Sequence, residues 1–329
     1  MKKSLIALAV LAASGASFAQ SSVTLYGKLD LWLGTSAATG APTQTVLNDG
    51  GVGGSRFGFK GSEDLGGGLK ANFLLEQGFD TSNGSATAGF SRYSYVGFSG
   101  GFGEVRLGKV GTAYDDINGN AHELFDSNVG SYVNVWAPYA GTANNNIYYA
   151  SNTYSGFSGA VSYGLGENKT NAASIGGQVG DGSASNITSL NVKYAAGPLY
   201  VGMGYQKESP QGGGDAYNNT RLNASYDLGV VKLLADVGRA SQGDGAANQW
   251  TLGVDVPVSK ALTVSGGYSK STDNDVAGGD TRKGYVIGAA YMLSKRTLAY
   301  VAYHNDSTSY KVGDDTTNKI TAVGVQHNF

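Results

Sequence analysis

The feature that most constrains this chain is a two-residue apolar period. It recurs in runs of about ten residues, the length at which a tilted strand crosses a bilayer. From the first run onward, Val23, Leu25, Leu29, Leu31 and Leu33 share one face, and Thr24, Tyr26, Lys28, Asp30 and Trp32 share the other. Leu69, Ala71, Phe73, Leu75 and Phe79 oppose Lys70, Asn72, Glu76 and Asp80. Leu222, Ala224 and Tyr226 oppose Arg221, Asn223 and Ser225. Val231, Leu233, Ala235 and Val237 oppose Lys232 and Asp236, and Trp250, Leu252, Val254 and Val256 oppose Thr251 and Asp255. Each strand therefore presents a greasy face and a polar one.

A sandwich core would alternate too, but strand length and connections separate the readings. Short turns fall at 66–68, 100–102, 155–156, 196–198, 229, 257–259 and 294–295. Longer polar segments lie between them, near 35–54, 81–90, 110–145, 165–186, 207–218, 240–248, 272–281 and 306–317. Seven hairpins plus a first strand near 23–34 and a last near 318–329 make sixteen. An even strand number, with short turns on one side and long loops on the other, is the habit of bacterial outer-membrane barrels. A membrane sheet cannot keep an open edge, so the first and last strands must pair. The expected fold is all-β: a 16-stranded antiparallel transmembrane β-barrel with short periplasmic turns and long extracellular loops. That many strands enclose an aqueous lumen.

The N-terminus agrees. Lys2 and Lys3, the apolar stretch 5–13 and the small-residue site Ser17-Phe18-Ala19 read as a signal peptide over residues 1–19, leaving 20–329 as the barrel. The chain has no cysteine, which excludes disulfides, thiol chemistry and Cys-based zinc sites. Its formal charge of −2, or −4 without Lys2 and Lys3, is too mild to argue for nucleic acid. With 52 glycines and 21 tyrosines against five prolines, composition favours short strands and many turns.

Four ordered motifs resemble Gram-negative general-diffusion porins, best the beta-proteobacterial type. Gly61-Ser62-Glu63-Asp64-Leu65-Gly66-Gly67-Gly68-Leu69-Lys70-Ala71 is similar to their first periplasmic turn, and Phe102-Gly103-Glu104-Val105-Arg106-Leu107-Gly108 to the strand leading into their third loop. Tyr291-Met292-Leu293-Ser294-Lys295-Arg296-Thr297 resembles their last turn, and Val323-Gly324-Val325-Gln326-His327-Asn328-Phe329 their closing strand. One departure is His327, where many porins carry tyrosine. Val323, Val325, His327 and Phe329 are the expected C-terminal assembly signature.

The resemblance implies a homotrimer in the outer membrane, in contact with lipid and lipopolysaccharide, passing small hydrophilic solutes and ions. It also implies that loop 3 folds into the lumen, and residues 110–145 are independently the longest connection, a length that is usually functional. No reaction, cofactor or metal is expected; the chemistry is a barrier set by pore width and lining charge. The implied basic wall of the constriction is Arg56, Arg92 and Arg106, with Lys28, Lys60 and Lys70. Arg56 and Lys60 alternate against Phe57 and Phe59, and Arg92 against Tyr93 and Tyr95. The implied acidic loop residues are Asp115, Asp116, Glu123 and Asp126. Weak anion selectivity follows if the wall outweighs the loop. A substrate-selective channel for small organic anions or phosphate-like solutes, or a structural or adhesive barrel, are the alternatives.

Aromatic residues near strand ends, namely Tyr93, Tyr95, Trp250, Tyr285 or Tyr291, and Phe329, suit interfacial girdles. Tyr26 and Trp32 fall on the polar face, where solutes pass. The run Gly50-Gly51-Val52-Gly53-Gly54 precedes a strand rather than a helix, so a phosphate loop has no support. Asp273, Asp275, Asp280, Asp314 and Asp315 lack EF-hand spacing. Of the histidines, His122, His304 and His327, none has a serine beside it in this register, which argues against a hydrolase.

Overall fold

A computed structural model describes residues 22–86, 88–117, 135–166, 185–210, 213–274 and 280–329. The leader, His122, Glu123, Asp126 and Asp275 lie outside the described residues.

The strands run in chain order: β1 Ser22–Ala38, β2 in two parts (Gln44–Asp49 and Arg56–Gly66), β3 Leu69–Gly78, β4 Tyr93–Gly100, β5 Gly103–Gly111, β6 Thr142–Ala150, β7 Phe157–Gly164 and β8 Ser185–Ala196. The second half comprises β9 Leu199–Pro210, β10 Tyr217–Asp227, β11 Lys232–Gln242, β12 Gly245–Pro257, β13 Leu262–Asn274, β14 Asp280–Met292, β15 Thr297–Ser309 and β16 Thr316–Asn328. Every neighbour pairs antiparallel with the next, and β1 pairs with β16 from Lys28↔Asn328 to Ala38↔Asn318, closing the cylinder. Both parts of β2 pair with β1, so sixteen strands cross. Closure leaves no row of unpaired amides facing hydrocarbon.

Sidedness follows the period. Leu25, Leu233 and Leu252 are 57, 48 and 56% exposed on the outside of the isolated chain, whereas Asp30, Asn191, Arg221 and Asp236 are buried on the inside. The hairpin turns fall where expected. Several strands are longer than ten residues, up to the 17 of β1, so they run past the membrane into the outer segments. The expected outer loop at 240–248 is thereby reduced to Gly243–Asp244 between β11 and β12, and the first loop to residues 39–43. Polar strand ends continue the ladder beyond the lipid because water does not penalise pairing there.

The remainder of the expected first loop is the break in β2. Residues 50–55 turn into the barrel and are held by Asp30. Its carboxylate accepts from the amides of Gly51, Val52 and Gly53 at 3.1, 2.9 and 2.9 Å, from Tyr300 Oη at 2.6 Å and from Gln326 Nε2 at 3.0 Å. The glycine run is thus an amide nest for a carboxylate of its own chain. A Cβ on Gly51 would lie 1.7 Å from Tyr300 Oη, so only glycine fits. Beside the nest, Trp32 packs with Val286, Ala290, Tyr300, Ala302 and Ala322. Trp32 is therefore sealed inside this cluster rather than open to solutes.

Candidate functional site: the pore constriction

Loop 3 enters the lumen from the end of β5, and its main chain is met by side chains of the barrel wall. The amides of Ala113 and Tyr114 donate to Ser162 Oγ and Ser189 Oγ at 3.1 and 2.6 Å. Asn191 and Asn223 donate to the carbonyls of Ala113 and Ile117. On the returning limb, Trp136 Nε1 donates to Thr251 Oγ1 and Ser269 Oγ at 3.0 Å each, the Ala137 amide to Gln249 Oε1, and the Ala140 amide to Glu208 Oε1 at 2.9 Å. A loop buried inside a barrel must have its peptide groups satisfied, and these small polar wall residues do so.

At the centre of the docked loop lies Arg221, fully buried. Its guanidinium sits 4.4 Å from the Trp136 ring centre, 5.4 Å from Tyr114 and 5.6 Å from Tyr139, with Nε 3.4 Å from Asp236 Oδ2. Room for the loop comes from inward-facing glycines. A Cβ on Gly204 would lie 2.8 Å from Ile117, and one on Gly238 2.6 Å from Trp136.

The wall on β1–β5 carries the cations. Glu76, on β3, is nearly buried between Arg56 and Arg92; its carboxylate lies 2.6 Å from Arg92 Nε and 3.9 Å from Arg56 Nε, and accepts from Tyr26 Oη at 2.8 Å. The two arginine side chains keep 26 and 38% of their surface exposed, against 6% for Glu76. Lys60 Nζ stands 5.0 Å over the Tyr26 ring, and Lys28, paired in register with Arg56, faces the same space. Lys70 sits lower, at the periplasmic mouth, opposite Asp64 and Ser99. Arg106 is sandwiched between the rings of Tyr95 and Tyr148 at 5.3 and 5.0 Å, with Nη2 2.6 Å from Glu104.

Arg92 does not alternate against Tyr93 and Tyr95. It precedes β4, where strand period does not apply, and its amide bonds Glu76 O. Tyr93 and Tyr95 pair with Glu76 and Leu74 and point inward, so neither belongs to a girdle. Trp250, Tyr285, Tyr291 and Phe329 are exposed on the outside.

Among the loop acids, Asp115 accepts from Tyr139 Oη at 2.8 Å within the loop, and Asp116 from Tyr148 Oη at 2.5 Å and Asn191 Nδ2 at 3.2 Å on the docking wall. At the outer mouth, the Ser82 hydroxyl, 2.6 Å away, holds the Asp80 carboxyl below its usual range. The C-terminal set occupies the outer face. Val323 and Val325 are exposed, His327 Nδ1 meets Thr297 Oγ1 at 2.8 Å, and the Phe329 ring overlies Gly27, whose Cβ would approach it to 2.2 Å.

Sequence reasoning left Glu76, Arg221, Asp236 and Asp30 unassigned, though it put all four on the polar face. The signal that marks the loop's track is glycine at inward positions of β9–β14, where period alone expects polar side chains.

A closed sixteen-stranded cylinder, lipid-faced outside and charged inside around an infolded loop, is an outer-membrane diffusion channel. The model of the Gram-negative porins matches residues 5–311, and the chain belongs to that family. It is 36% identical to outer membrane porin protein 32 of Delftia acidovorans over 91% of this chain and 88% of that one. It is 30% identical to an outer membrane porin protein of Bordetella pertussis over the full length of both. The solved anion-selective porin from Comamonas acidovorans superposes with a TM-score of 0.79 at 28% identity, covering 94% of this chain and all of that one. The chain is a multi-pass barrel of the outer membrane that passes solutes passively, and the family is one of channels rather than enzymes.

Proposed function

We propose that this channel is weakly anion-selective, with Arg56 and Arg92 as its field-setting pair. The observation that carries the reading is their shared partner. Two partly exposed cations face the lumen around one nearly buried carboxylate, Glu76, with Lys28 and Lys60 beside them. The wall therefore shows anions a net positive charge in a narrow space where charges act more strongly than in bulk water. The anion-selective neighbour supports the same sign. Reversal potentials across a planar bilayer in a salt gradient test it: anion preference is expected, falling on Arg56→Gln with Arg92→Gln. It should also fade towards 1 M salt, where the Debye length shrinks to about 3 Å. A wild-type channel that prefers cations overturns the proposal.

The same pair supports a second reading, a binding site for small organic anions or phosphate-like solutes. Saturable block of the chloride current by one such solute distinguishes it from general diffusion, and absence of open current steps would favour a structural barrel. Lys70 and Arg106, with carboxylates alongside, take secondary parts. Val323, Val325, His327 and Phe329 are assigned to assembly. We also assign a homotrimer, since family resemblance points there and the outer face of β1–β4 presents Leu25, Leu29, Phe59, Val96 and Phe98 to a partner or to lipid. Migration of the unheated protein on a gel reports it. The remaining outer face meets outer-membrane lipid and lipopolysaccharide.

A further inference from the structure

The break in β2 is larger than a bulge. On β1, Leu31 and Lys28 are three steps apart, while their partners on β2, Asp49 and Arg56, are seven apart. Four residues are therefore surplus to the ladder, against the one of an ordinary bulge. An even surplus returns Arg56 to the inward face, so the alternation of the wall is kept. The surplus chain folds inward as an elbow, residues 50–55. Peptide groups turned outward would find no partners in hydrocarbon. Inside, Asp30 accepts from the amides of Gly50, Gly51, Val52 and Gly53, and Asp49 from that of Ser55 at 3.2 Å.

The elbow sits at the outer rim of the basic wall. Asp30 is the next inward residue of β1 after Lys28, about 7 Å nearer the outer mouth at the usual strand rise. Gly53 lies over that step, since a Cβ there would come 2.9 Å from Lys28 Nζ and 3.7 Å from Gln326 Nε2. Asp30 beneath is 0% exposed. Gly54 is the tip. It is exposed although it lies within the barrel, so the water it meets is the lumen's. A Cβ on it would meet none of the described atoms within 4 Å, and its backbone lies outside the left-handed region. Neither conformation nor described contact asks for glycine there. A side chain at this position would stand in the lumen two residues before Arg56, at most about 7 Å along the chain.

We propose that residues 50–55 are a second constriction element, a lip on the outer side of the Lys28–Arg56 wall. Its tip, Gly54, leaves the anion path open by lacking a side chain, and its body keeps permeating cations from touching Asp30. This deepens the anion-channel reading above and rests on it. Without the elbow, Asp30 would be a lumen carboxylate one inward step from Lys28, and lining charge at the narrows sets which ions pass.

Gly54→Cys tests the lip, because the chain contains no other cysteine. The assembled variant is recorded in planar bilayers before and after a small cationic or anionic methanethiosulfonate, with labelling confirmed by mass spectrometry. Either adduct is expected to lower single-channel conductance, since both occupy the path. The anionic adduct alone should also lower the anion preference, because its charge lies within a Debye length of Arg56, about 8 Å at physiological salt. Gly101→Cys, in the turn between β4 and β5 where a Cβ has open space, should label with neither effect. A second variant lacks residues 51–54, so that Gly50 and Ser55 fill the two ladder places opposite Asp30 and Leu29. It should conduct more than the wild type with a lower anion preference. Asp30→Asn in that background should bring the preference back while conductance stays high. A position 54 that resists both reagents, or whose labelling moves neither conductance nor reversal potential, overturns the proposal. So does a shortened chain with wild-type conductance, or one whose preference Asp30→Asn does not restore. The cysteine result decides whether or not the shortened chain assembles. A wild type that prefers cations strikes the field-setting arginine pair instead, and the conductance changes still report on the lip.

Discussion

Replacing Arg221 by methionine tests whether loop 3 is held by the buried charge beneath it. The substitution removes the cation 3.4 Å from Asp236 and leaves that carboxylate in a site both side chains occupy at 0–1% exposure. Removing one partner of a buried pair costs about 3–5 kcal/mol. The three rings around the guanidinium lose a desolvated cation–π partner as well, of order 2 kcal/mol for a good contact. The barrel ladder is untouched, so the loss falls on the docking of the loop, whose lifting would let water reach Asp236. At 1.4 kcal/mol per decade, even 3 kcal/mol shifts that docking equilibrium more than about a hundredfold. Single-channel recordings should then show larger mean conductance and frequent substates. Arg221→Met with Asp236→Leu should restore quiet openings, because an apolar pair of similar volume often replaces a buried ion pair without loss. Wild-type conductance and noise in the single variant, or a double variant no quieter than the single, would refute the reasoning.

Glu76→Gln frees Arg56 and Arg92 from their shared carboxylate, and the anion preference read from reversal potentials should rise. Asp30→Ala removes an acceptor of five hydrogen bonds; with charged acceptors worth about 1.5–3 kcal/mol each before relaxation, the unheated barrel should lose its compact gel migration at a clearly lower temperature. Gly27→Leu collides with the Phe329 ring, so yield of assembled barrel should fall, while Gly101→Ala, whose Cβ would meet open space, serves as a mild control for expression.

The architecture was legible because a strand in a membrane-spanning barrel faces two solvents. Leu25 and Lys28 must separate, and the period records it. The turn residues then set the number of hairpins. Strand length was less legible, since nothing apolar marks where β11 and β12 stop pairing beyond the lipid. Arg92 was assigned to the wall, but the alternation used for it fails outside the strand. Tyr93 and Tyr95, aromatic and near a strand end, look like girdle residues and instead line the lumen, because in this wide barrel aromatic rings also flank arginines.

Sequence alone therefore determined which face of the strands with a clear two-residue period is greasy and which is polar, how many strands there are, and that the longest loop is special; all three follow from local periodicity and chain length. Only the tertiary structure decided the partners across the lumen. Glu76 between two arginines, Asp30 in its glycine nest and Arg221 under three rings join residues far apart in the chain. Their proximity is set by barrel closure and by the path of loop 3, which no local pattern encodes.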